Sequence, residues 1–207
     1  MSSSGRRVQT ARYHEGAFSG RNAQTTALDD NGIEGMTWSG AYWNPSRREL
    51  VAYLPPGGAR ELMKTFRHEA FHQYLSYACS MISTSPWLNE GYAQYFEDET
   101  ATDWGIEVDL EQVAELLPSL MRMGYRQFYD GSEGERQLKY RMAWSIAYFL
   151  EKGAPKVRFE PFKDLTRTYV ESLLRHQDAN RATAEAFGTA DNLKKFLTEW
   201  KKFWDNM

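Results

Sequence analysis

Two short strings hold the residues best suited to chemistry: Arg67-His68-Glu69-Ala70-Phe71-His72 and Trp87-Leu88-Asn89-Glu90-Gly91-Tyr92. The first contains His-Glu-x-x-His. On a helix, His68 and His72 sit one turn apart on one face, so both imidazoles can reach one ion. Glu69 stands beside them, placed to polarise a water. A catalytic zinc takes three protein ligands and keeps a fourth position open. After seventeen intervening residues His72 is followed by Glu90, the candidate third ligand. Two imidazoles and one carboxylate leave the ion positively charged, which lowers the pKa of water at that position towards neutrality. The same His pair also fits an ordinary amphipathic helix with both rings solvated, since a motif match alone carries false positives.

The elements must then bring Glu90 to the two histidines. Gly57-Gly58 is a breaker, and 59–81 reads as one long helix. Leu62, Phe66, Ala70, Tyr74 and Ala78 recur at helical spacing and are expected to form its buried stripe. Ser83-Thr84-Ser85-Pro86 ends that helix; Ser85 is a natural N-cap and Pro86 a natural first residue. A second helix over 86–99 can fold back on the first and carry Glu90 to the His pair.

His68-Glu69-x-x-His72 with Asn89-Glu90-Gly91-Tyr92-Ala93-x-Tyr95-Phe96-Glu97 resembles the gluzincin metallopeptidases, in the aminopeptidase N-like branch and the small peptidase-MA-like domains. The resemblance implies zinc held by His68, His72 and Glu90, with Glu69 as general base. It also implies that Glu97, seven residues after Glu90 on the same helical face, supports a zinc-bound imidazole from behind. Read without the family, Glu97 is a solvated charge in an acidic run. Tyr140-Arg141-Met142-Ala143-Trp144 resembles the helix that supplies a catalytic tyrosine in these enzymes. By that match Tyr140 donates to the oxyanion; otherwise it is a half-buried helical tyrosine. Gly40-Ala41-Tyr42-Trp43-Asn44 is similar to the substrate-binding strand of aminopeptidases. Trp43, however, stands where those enzymes place the glutamate that holds a free amino terminus, so the likeness stops short of an exopeptidase.

Composition fits a packed globule. Hydrophobic residues make up 42 % and aromatics 14 % of 207 residues. The net charge of −3, from 25 basic and 28 acidic residues, gives no reason to expect nucleic acid as a partner. Cys79 is the single cysteine, so no intrachain disulfide is expected. No apolar run approaches the roughly 20 residues of a membrane span, and no secretory signal is evident. The polar start 1–35 reads as irregular, and the compartment is left open, including an excised domain of a secreted or envelope protein.

The fold expected over 36–207 is a single α+β, mostly helical, zincin-like domain with a small antiparallel sheet before the metal helix. The hairpin spans 38–54 with its turn at Asn44-Pro45-Ser46-Arg47. Residues 49–54 are the expected edge strand for an extended peptide or protein substrate. Asp109 caps a helix through Leu110 and Leu117, with a kink expected at Pro118. A loop over 124–134 carries Tyr125, Phe128 and Tyr129, as cleft lining, lid or packing. A helix follows over 135–152, and the rest is helical scaffold. The expected function is zinc-dependent hydrolysis of peptide bonds. Two alternatives share these residues: an inactive metallopeptidase-like binding module, and a zinc hydrolase of a non-peptide amide or ester.

Overall fold

The computed structural model describes residues 41–52, 58–98, 100–158 and 160–207. The irregular segment expected over 1–35, and the outer ends of the expected hairpin, lie outside these residues. The architecture is α+β and mostly helical, with one two-stranded antiparallel sheet among the described residues. Strand β1 (Ala41–Asn44) pairs with β2 (Glu49–Ala52) in the register Ala41 to Ala52 through Asn44 to Glu49. Arg48 takes a left-handed φ of 55° in the connecting turn, and the Asn44 side chain accepts from the Arg47 N–H at 3.1 Å. This closes a tight Asx-type turn.

Helix α1 (Gly58–Ala78) carries the His pair. It stops where Ser80 and Met81 both turn left-handed, with φ of 52° and 65°. Helix α2 (Pro86–Glu97) then folds back against it. The buried stripe expected on α1 is displaced. Tyr74 is 67 % exposed and Ala78 is exposed, whereas Leu75 and Cys79 are buried. The inward row is thus one residue later, about 100° around the helix. Facing His68 and His72 towards α2 turns the 75/79 row to the core and leaves the 74/78 row outside. Ser85 occupies the cap position of α2, but its hydroxyl makes no cap bond. It bonds instead to the Ala179 carbonyl and Thr183, while the Tyr169 hydroxyl accepts from the Ser85 N–H at 2.6 Å. The start of α2 is therefore fastened to later helices.

Helix α3 (Leu110–Leu120) is capped by Asp109 as expected and runs on through Pro118. The stretch expected as a loop contains a short helix, α4 (Tyr125–Tyr129), before α5 (Glu133–Tyr148). A reciprocal Ser132/Glu135 capping box starts α5 two residues early. Helix α5 passes into a π turn (Phe149–Gly153) and a 3-10 turn (Ala154–Lys156). Helices α6 (Glu160–Lys163), α7 (Leu165–His176), α8 (Ala179–Phe187) and α9 (Ala190–Asp205) complete the chain. One hydrophobic cluster runs from Leu75 to Trp204. At its centre α2 lies directly on α5: Gly91 meets the Ala143 carbonyl so closely that a Cβ there would overlap it. Trp144, Trp200 and Trp204 then tie α5 to α9, with Trp104 of the connector wedged among them. Among the described residues, no helix is long and apolar enough to cross a membrane.

Candidate metal centre

The helical hairpin of α1 and α2 brings three side chains to one point. Glu90 Oε2 lies 3.6 Å from His68 Nε2 and 3.7 Å from His72 Nε2. The two imidazole rings stand edge to face, with centroids 4.7 Å apart. One donor atom from each of His68, Glu69 and His72 lies within 4.8 Å of the others. Donors about 2.0–2.1 Å from a tetrahedral zinc stand roughly 3.3–3.4 Å apart. The spacing between Glu90 and the two rings is therefore close to that of an N,N,O set sharing one ion.

Each imidazole is held from behind. Glu97 Oε2 is 2.9 Å from His68 Nδ1, and Asn89 Oδ1 is 2.8 Å from His72 Nδ1. Both bonds direct the Nε2 atoms towards Glu90 and require the Nδ1–H tautomer wherever the ring is neutral. Glu97 is kept in reach because α1 grips the end of α2. Arg67 donates to the Glu97 carbonyl at 3.0 Å, and Lys64 pairs with Asp98 at 3.0 Å. Glu69 Oε2 accepts from the backbone N–H of Trp43 on β1 at 2.8 Å, and the Trp43 indole donates to Ser76. Strand β1, rather than the 49–54 segment expected as the substrate edge, is thus the strand whose backbone touches Glu69.

The electrostatics favour positive charge at this point. Burial alone would lower the His68 pKa, but the adjoining Glu90 and Glu97 carboxylates outweigh it and raise it to about 10. Burial would raise Glu90, but His68, His72 and the Tyr129 hydroxyl hold it below the usual carboxylate value. Burial pushes the Glu69 carboxyl up, and the neighbouring histidines and the Trp43 N–H only partly oppose this. The buried Glu90 and the partly exposed Glu97 thus make this a point where positive charge is favoured. The donor set of two imidazoles and a carboxylate suits zinc among the divalent ions.

Two tyrosines expected as cleft lining, lid or packing stand on α4, and the structure gives each a specific hydroxyl partner. Tyr129 donates to Glu90 Oε1 at 2.5 Å. The Asn89 side-chain amide donates to the Tyr125 hydroxyl at 2.7 Å, so Tyr125 steadies the group that steadies His72. The signal in the sequence is the four-residue spacing of Tyr125 and Tyr129, which puts both on one face of a helix. Tyr140 packs edge-on against Phe128 and lies beside the Tyr129 ring, with centroids 6.3 Å apart. Burial, with the charge of Glu90 next, raises its pKa above the ordinary phenol value. No family model matches this sequence, and neither a curated protein nor a solved structure matches it.

Proposed function

We propose that the protein is a zinc-dependent metallopeptidase with a zincin-like catalytic unit of the gluzincin kind. The observation that carries this reading is the convergence of His68 Nε2, His72 Nε2 and Glu90 Oε2, with Glu69 alongside. His68, His72 and Glu90 would hold the ion. Bound zinc supplies Lewis acidity, polarising a carbonyl and easing ionisation of water. The remaining chemistry belongs to the chain. One Glu69 oxygen is tethered to Trp43, which leaves the other to take the proton from the attacking water. The raised Glu69 carboxyl suits it to return that proton to the leaving amine. Tyr140 would steady the oxyanion through its hydroxyl. An extended peptide would lie along the hairpin, with β1 the strand closer to the base. The inactive binding module and the amide or ester hydrolase use this same constellation.

The test couples metal content to turnover. Wild type is expected to hold one zinc and cleave a generic peptide mixture. Glu69→Gln should keep the zinc and lose turnover by about 10²–10⁴-fold, the usual reach of general base catalysis. His72→Ala should lose both. Normal peptidase activity in Glu69→Gln would remove the assigned base, and a zinc-replete wild type inert towards peptides would favour the binding module or a non-peptide substrate.

A further inference from the structure

We infer that Tyr129 is a positioning residue that claims Oε1 of Glu90, so that Glu90 meets a cation through Oε2 alone. The inference rests on the metal site proposed above and goes beyond the ligands themselves.

The geometry divides the two Glu90 oxygens. Oε2 faces both imidazoles, at 3.6 and 3.7 Å. Oε1 faces away from them and accepts the Tyr129 O–H at 2.5 Å. That length is typical of a charge-assisted O–H···O⁻ bond, which is about twice as strong as a neutral one. Glu90 is only 3 % exposed, so water has little access to Oε1 in place of Tyr129. A carboxylate with both oxygens free can clamp an ion two-pronged and fill the coordination position that catalysis needs open. With Oε1 already bonded, the one-pronged mode is favoured.

The chain spends structure on holding this phenol in place. Phe128 is completely buried and anchors α4. Lys139 of α5 donates to the carbonyls of Gln127 and Asp130 at 2.8 and 2.6 Å, on either side of Tyr129. Tyr129 is 42 % exposed as a residue; its ring touches Tyr125, Phe128 and Tyr140, contacts a phenylalanine can keep, while its hydroxyl reaches inward to Glu90.

The experiment compares wild type and Tyr129→Phe by zinc affinity, measured in competition with a chromophoric chelator, and by the visible absorption of bound cobalt(II). Tyr129→Phe should bind zinc roughly ten- to a hundredfold more weakly, the usual range when a partner behind a ligand is lost. Its cobalt spectrum should lose intensity, as happens when coordination rises above four. Unchanged zinc affinity overturns the inference. So does weaker zinc with an unaltered cobalt spectrum, which is the mark of a merely structural loss. A wild type that takes up no metal overturns both this inference and the proposed function, whereas a one-zinc wild type beside an indifferent Tyr129→Phe overturns this inference alone. Should Tyr129→Phe not fold, Lys139→Ala loosens the same short helix, and the same two readings decide.

Discussion

The two helices that form the site are built on opposite plans. Helix α1 supplies His68, Glu69 and His72, yet only Leu75 within its bounds is buried. Helix α2 supplies Asn89, Glu90 and Glu97, and eight of its twelve residues are buried. Trp87 and Leu88 are fully enclosed, and the Trp87 indole donates to Thr183. The Tyr92 hydroxyl reaches Glu151 and Thr166 beyond α5. One helix is thus the staple of the core, and the other is laid over it with its reactive face inward. This division leaves the His68 and His72 side chains 15 % and 14 % exposed while their partner Glu90 on α2, at 4 %, is held in the interior. A carboxylate as buried as Glu90 is affordable only where cationic and hydroxyl partners converge on it.

Breaking the staple should have the largest effect. Trp87→Ala removes the largest class of buried side chain and strands Thr183; it should cost about 3–5 kcal/mol in chemical denaturation. A loss below about 1 kcal/mol would mean that α2 is not the organising element. Gly91→Ala pits two effects against each other. Alanine favours a helix over glycine by up to about 1 kcal/mol, but its Cβ would strike the Ala143 backbone, which cannot rotate aside as a side chain can. Overpacking should win, with a net loss of about 1–3 kcal/mol and weakened metal uptake as Glu90 shifts.

Changing pH probes the seam between the helices. In metal-free protein the His68 pKa is raised, so the stability from its protonation is fully present below about 6.5 and lost as pH rises through about 10. The unfolding free energy from chemical denaturation should fall across that window, by no more than about 1.4 kcal/mol per pH unit, and His68→Gln should flatten the fall. Glu90, held low, acts in the opposite direction, its contribution being lost in acid. The smallest effect is expected on the outer face of α1. Tyr74 is 67 % exposed with only a tilted contact to Phe71, so Tyr74→Ala should change stability by less than about 0.5 kcal/mol. A larger cost would show that this face is covered and would weaken the contrast.

Much of the site was legible because the motif is local. His68, Glu69 and His72 lie within five residues, where helical periodicity alone dictates which side chains share a face. The breaker before Pro86 announced the fold-back, and Asp109 announced its own cap. The stripe on α1 was misplaced by one residue because period fixes how residues group, not which group meets a neighbour. The stretch over 124–134 read as loop because five residues are too few to show a period, yet Phe128 buries itself and creates α4.

From the order of residues alone came the residue types, the His-Glu-x-x-His face, the acid eighteen positions after its second histidine and a mostly helical chain with a small hairpin. Those follow from backbone geometry acting over a few residues. Packing decided the rest: that Glu90 Oε2 is near both rings, that Asn89 and Glu97 stand behind them, that Trp43 ties down Glu69 and that Tyr129 takes the second Glu90 oxygen. These pairings join residues 17 to 39 positions apart. No local rule reaches that far, because only the close approach of α2 to α5 and of α1 to α2 settles which polar groups are left facing one another, out of reach of water.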